Sequence, residues 1–187
     1  MEQNEMTVFQ AQEEYSKNGI NSVNHSYRHL IDDILEQDVR IELSNDSYLD
    51  ALFLSQIMLN RTRGDFRMIC GVSTGRFFEV LEEPITKCLN TLKKNGGDFR
   101  IIAEASEVPS IFNKLKSQFG EVFKFKLTGN HGLSHCMVSD HKMVRIEEPH
   151  PPLTAETLAS EIKAKVYFDE PDLANLYNRS FDNLWSK

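Results

Sequence analysis

The chain is poor in the residues that staple a fold together. Three cysteines, Cys70, Cys88 and Cys136, stand far apart with no CxxC pair, which excludes a disulfide framework and a cysteine-based zinc motif. An odd count of this kind is expected as reduced, buried thiols in a cytoplasmic protein. Long apolar runs are missing too: none approaches the ~20 residues that a membrane helix needs. The start, Met1-Glu2-Gln3-Asn4-Glu5, lacks a signal-peptide core. The expectation is a soluble protein with no membrane partner. Basic excess is also absent, because 28 acidic against 21 basic residues give a net charge of −7. A chain this acidic does not spread over nucleic acid by charge alone, so nucleic acid is not a favoured partner.

What is present is enough apolar material for a real core. Of 187 residues, 40% are hydrophobic and 26% charged, ordinary for one globular domain. Residues 7–36 read as helical with a break at Asn18-Gly19, and Val23, Tyr27, Leu30, Ile31 and Ile34 share one face. Val39, Ile41 and Leu43 alternate with Arg40 and Glu42 as a short strand. A helix over 47–61 carries apolar side chains on more than one side. From Asp65 onward strands and helices alternate. Phe66 to Val72 and Phe99 to Ala103 read as strands; the helix between them should kink or restart at Pro84 and end at Gly96-Gly97. A further helix covers 108–119. Phe123, Phe125 and Leu127 form the next strand. His135–Ser139 and Lys142–Ile146 pair as a hairpin about Asp140-His141. A strand ending at Phe168 and a closing helix that begins at Pro171 complete the chain. This order predicts an α/β fold: a mixed, mostly parallel sheet with helices on both faces. Residues 1–46 are expected as an N-terminal helical extension and 47–187 as the α/β domain.

Several residue groups invite a chemical reading. Gly71-Val72-Ser73-Thr74-Gly75 joins a strand to a helix, where free amides receive anions, so Ser73 and Thr74 are candidates for a phosphate or other ligand. The loop lacks the Gly-Lys-Ser/Thr ending of a P-loop, and an ordinary helix cap is the plainer account. His131, His135, His141 and His150 suggest a metal, but no cysteine or carboxylate stands at structural-zinc spacing beside them. They are expected to be unrelated turn histidines, with no metal. Lys114, Lys116, Lys124, Lys126, Lys163 and Lys165 read as solvated faces. Glu147 to Pro152 reads as a stiff connector.

The closing run, Val166-Tyr167-Phe168-Asp169 followed by Leu173-Ala174 to Phe181-Asp182-Asn183-Leu184-Trp185, resembles one half of a phospholipase D-like domain over about residues 47–187. That family carries His-x-Lys-x-x-x-x-Asp at its catalytic hairpin, where the histidine attacks a phosphodiester and the lysine holds the phosphate. This chain reads Leu133-Ser134-His135-Cys136-Met137-Val138-Ser139-Asp140-His141-Lys142. With His135 as nucleophile, Met137 stands in the lysine position and Lys142 in the aspartate position. With Asp140 as anchor, Leu133 stands for the nucleophile and His135 for the lysine. Either register leaves the trio incomplete: methionine cannot stabilise a phosphoryl anion, and leucine cannot attack one.

The resemblance therefore implies a module that works by binding rather than by catalysis, through protein–protein contact or self-association. It implies no cofactor. The expected setting is a homo-oligomer or a subunit of a larger complex, such as a bacterial multi-protein defence system. The alternative is a metal-independent phosphodiesterase or nuclease using His135, with Lys142 as a phosphate contact.

Overall fold

The computed structural model describes all residues except 1–4, 38, 72–74, 130–131, 151 and 155. Helices α1 (Val8–Asn18) and α2 (His25–Gln37) open the chain, separated by a short 3-10 turn at Gly19–Ser22. Thr7 caps α1 and forms a reciprocal capping box with Gln10. Strand β1 (Ile41–Asn45) leads to α3 (Tyr48–Arg61), which Ser47 caps by accepting from the Asp50 N–H. The alternating part follows: β2 (Asp65–Gly71), α4 (Arg76–Val80), α5 (Glu82–Asn95), β3 (Asp98–Glu104), α6 (Ser110–Phe119) and β4 (Phe123–Thr128). Pro84 sits in the first turn of α5, where its missing N–H costs nothing, so the helix restarts there as expected. Strands β5 (Cys136–Ser139), β6 (Met143–Glu147) and β7 (Ala164–Phe168) lead into α7 (Pro171–Trp185).

Among the described residues, seven strands form one mixed sheet in the order β1-β7-β6-β5-β2-β3-β4. The expected α/β architecture is what the chain adopts, but the balance of pairings differs from the mostly parallel sheet predicted. Only β2–β3 and β3–β4 are parallel; β1–β7, β7–β6, β6–β5 and β5–β2 are antiparallel. The reason lies in the connections. Parallel neighbours need a crossover, usually helical; α4–α5 and α6 supply it before β3 and β4, whereas β5, β6 and β7 follow one another with no α-helix between them among the described residues. Strand β1, where the alternation of Val39, Ile41 and Leu43 predicted a short strand, forms one edge of the sheet.

Alternation along the strands divides the interior into two layers. One face of the sheet, with Phe66, Met68, Phe99, Ile101, Phe123, Met137 and Val166, packs under α1, α3, α5 and α6 in the main core. Stacked and edge-on aromatic pairs run through it, Phe66 on Phe99 and Phe112 on Phe78. The opposite face, with Ile69, Ile102, Cys136, Val138 and Val144, packs under α7 through the fully buried Ala174 and Phe181. At the end of the sheet away from the site described below, Gly97 lies so close to Gly64 that a Cβ there would sit 1.6 Å from the Gly64 carbonyl oxygen. Only glycine fits. Among the described residues no helix is long and apolar enough to cross a membrane.

Candidate functional site

The hairpin fixes what lies at each of its ends. Its turn is closed by the Lys142 N–H donating to the Ser139 carbonyl at 3.0 Å, with Asp140 and His141 both left-handed (φ 49° and 57°). That conformation strains a non-glycine residue, and the Asp140 carboxylate offsets it by accepting the N–H groups of Arg63, Gly64 and Asp65 at 2.6, 2.7 and 3.0 Å. Asp140 is thus an anchor for the start of β2. Lys142 belongs to this end too: it is exposed and faces Asp169 at 3.7 Å. His135 stands at the other end of the hairpin, about 16 Å away at ~3.3 Å per residue. The structure therefore does not bring Lys142 to His135.

His135 immediately precedes β5, where the carboxyl ends of β2, β3 and β6 meet. Met137 and Ser139, which strand alternation puts on the same face as His135, are buried, at 3% and 2% exposure, Ser139 hydrogen-bonding Thr62 and Met137 contacting Ser55 of α3. The imidazole of His135 reaches carboxylates on both sides: Nδ1 lies 3.0 Å from Glu147 Oε2, and Nε2 lies 3.2 Å from Glu104 Oε2. Glu104, at the end of β3, is held by the Leu133 N–H, which donates to its Oε1 at 2.7 Å. Glu147, at the end of β6, is held on its Oε1 by Arg145 Nη1 at 2.5 Å. Arg145 is 1% exposed and is itself oriented by its Nε donating to Asn45 Oδ1 at 3.0 Å. His150 completes the group, its Nε2 lying 3.3 Å from the same Glu147 Oε2.

The electrostatics follow from this packing. Burial disfavours a charged His135, but Glu147 and then Glu104 outweigh it, and the pKa ends above its usual value. Burial likewise opposes ionisation of Glu147. The Arg145 guanidinium and the hydrogen bonds from His135 and His150 overcome it and hold that carboxyl well below the usual range. The result is a half-buried cluster of two acids, two histidines and one arginine. Gly71 matters for its assembly: a Cβ there would lie 3.0 Å from His135 Cε1, so the bare backbone of β2 lets the ring pass.

His135 and His150 were expected to be unrelated turn residues, yet the fold brings them to one carboxylate, with ring centroids 5.6 Å apart. The loop after β6, expected as a plain connector, carries His150 back over the hairpin mouth. His141 is at the opposite end, against Asn175 and Asn178 of α7. His131, Ser73 and Thr74 lie outside the described residues. Glu104, Arg145 and Glu147 were missed as site residues. Arg145 left a trace in the sequence, a cation at an inward position of the alternating run Met143-Val144-Arg145-Ile146, and a buried cation demands a buried acid. Three of the six lysines expected on solvated faces are exposed and carry partners there. Lys114 pairs with Glu82 at 2.5 Å, Lys165 with Glu42 at 2.7 Å, and Lys126 donates to the Trp185 carbonyl.

No family model matches the chain, and no curated protein resembles it in sequence. Solved structures resemble it in shape. TrmBL2, an archaeal chromatin protein with a novel mode of DNA binding, superposes at a TM-score of 0.59 and 12% identity over 95% of this chain. This chain spans 66% of TrmBL2. Nuc, a phospholipase D family member from Salmonella typhimurium, gives 0.53 at 17% identity over 79% of this chain and 95% of its own. NucT from Helicobacter pylori gives 0.50 at 10% identity over 79% and 96%. At such identities the likeness establishes the fold alone, and that fold is phospholipase D-like.

Proposed function

We propose that the chain is a non-catalytic phospholipase D-like module that acts by binding, as a self-associating subunit or as a subunit of a larger protein complex. The observation that carries this reading is the double clamp on His135. A histidine attacks phosphorus through an unprotonated ring nitrogen with a cation beside it to receive the phosphate. Here each ring nitrogen faces a carboxylate, at 3.0 and 3.2 Å. The cation in contact with the cluster, Arg145, is buried against Glu147 and Asn45. Two carboxylates flanking the ring repel a phosphodiester.

The apolar surface supports a binding role. Of the five large hydrophobic side chains exposed among the described residues, Ile20, Leu30 and Val39 lie within the first forty residues. Val39 also lines a groove of about 190 Å³ between the end of α2 and the hairpin turn, whose wall is half apolar, with Ile34 and Phe168, and half polar, with Arg61, Asp140 and Lys142. The shape match to TrmBL2 covers 95% of the chain and so extends into these N-terminal helices. TrmBL2 binds DNA; for this chain, with a net charge of −7, a protein surface is the better partner.

Two measurements test the reading together. In excess chelator, hydrolysis of bis(p-nitrophenyl) phosphate should stay at the buffer rate, and sedimentation should show a species heavier than the 21.5 kDa chain or a defined complex. Chelator-resistant turnover that His135→Ala abolishes would establish the alternative, a metal-independent phosphodiesterase.

A further inference from the structure

We propose that His135 Nδ1, His150 Nε2 and Glu147 Oε2 form a binding site for one late first-row divalent cation, with zinc as the best-matched ion. This inference stands apart from the binding role proposed above and does not depend on it.

The ligand atoms are already near the required spacing. Zinc bonds histidine nitrogen at about 2.0–2.1 Å and carboxylate oxygen at about 2.0–2.2 Å, so neighbouring ligands of a tetrahedral ion lie about 3.3 Å apart. Glu147 Oε2 is 3.0 Å from His135 Nδ1 and 3.3 Å from His150 Nε2. All three atoms lie within 4.8 Å of one another. Two imidazoles and one carboxylate are a borderline-soft set suited to zinc and its neighbours rather than to calcium or magnesium.

The surroundings are built as the supports of such a site. A ligating histidine ordinarily donates its other ring N–H to a carboxylate, which fixes its tautomer and raises its basicity. His135 Nε2 meets Glu104 in that role, and Glu104 is itself held by the Leu133 N–H. Arg145 occupies Glu147 Oε1, leaving Oε2 as the single ligand atom and fixing its direction. The charge also balances. Two acids and one arginine leave the cluster at −1 with neutral histidines, and a divalent ion brings it to +1, the same charge that two bound protons would give. Three protein ligands leave a fourth position for water. The side chains of His135, Glu147 and His150 are 17%, 18% and 12% exposed, so an ion can enter without unfolding the hairpin.

The test uses the full chain, stripped with chelator, dialysed and titrated with cobalt(II), a chromophoric stand-in for zinc, and then with zinc by calorimetry. The expected result is one equivalent per chain, with the intense visible bands of a low-coordinate cobalt site that zinc bleaches. His150→Ala should raise Kd at least tenfold, and Glu104→Gln should raise it by about tenfold or more, the usual effect of removing a supporting carboxylate. His141→Ala, at the far end of the hairpin, should change nothing. Thermal unfolding of each variant in chelator separates lost ligation from lost folding, and Glu104→Gln leaves all three ligands in place should His150→Ala not fold. No uptake of either ion by the wild-type chain, or uptake unchanged in both His150→Ala and Glu104→Gln, would overturn the proposal.

Discussion

Arg145→Met tests whether the site is held by its buried cation. Methionine keeps most of the volume and the inward position, so little cavity forms. What is lost is charge and hydrogen bonding. The 2.5 Å bond to Glu147 and the 3.0 Å bond to Asn45 both disappear, while Arg145 Nη2 makes no hydrogen bond that could be lost. A hydrogen bond to a charged group contributes about 1.5–3 kcal/mol, and a stranded buried acceptor costs about 1–3 kcal/mol. The Oδ1 of the fully buried Asn45 is stranded, while its Nδ2 still donates to the Ser47 carbonyl. Glu147 is stranded in part, because His135 and His150 still reach its Oε2. The sum is about 3 kcal/mol, at the lower end of the roughly 3–5 kcal/mol for breaking a buried pair. In urea, with a slope of about 2 kcal/mol per molar, the midpoint should fall by about 1.5 M. Adding Glu147→Gln removes the stranded charge, so the double variant should be more stable than the sum of the single changes by about 1.5 kcal/mol. A loss under about 1 kcal/mol for Arg145→Met, or an additive cycle, would refute the reasoning.

Three further outcomes follow from other parts of the fold. Gly97→Ala must displace the Gly64 carbonyl and should cost about 3 kcal/mol in the same urea assay; an unchanged midpoint would deny the close approach. Burial pushes the thiols of Cys88 and Cys136 up to about 12 and that of Cys70 well above its usual value, so none should react with an aromatic disulfide reagent at pH 8 until denaturant is added. In chelator, stability should peak between about pH 4.5 and 6.5. The raised pKa of His135, which faces Glu104 and Glu147, contributes fully below about 6.5 and fades as pH rises through the folded value; the depressed Glu147, facing Arg145, His135 and His150, contributes above about 4.5 and fades on acidification. His135→Gln should flatten the alkaline side of that curve, and a curve that keeps rising to pH 8 would contradict it.

Much of the architecture was legible because it rests on short-range regularities. Period-two alternation marks β7, and 3.6-residue spacing marks α2, α6 and α7. Thr7, Ser47, Pro84 and Pro171 cap or start helices by chemistry that acts within four residues. The balance of parallel and antiparallel strands was less legible. Nothing local in 136–139 says that β5 pairs beside β2, across residues that include three helices and two strands. The site was harder still. His135 was a candidate because of the residue motif around it, and that motif placed Lys142 beside it in sequence although the hairpin holds the two at opposite ends.

The sequence by itself determined the kinds of elements, their order and the apolar faces they bury. Each of these depends on side-chain type and near spacing, which a linear chain states directly. Tertiary structure alone decided that Glu104, His135, Arg145, Glu147 and His150 form one cluster, because strand ends contributed by β3, β5 and β6 meet only once the sheet is assembled. Burial then fixes their charge. The same Glu147 that reads in sequence as one acid in a polar loop becomes, under Arg145 and between two imidazoles, the residue around which the site is organised.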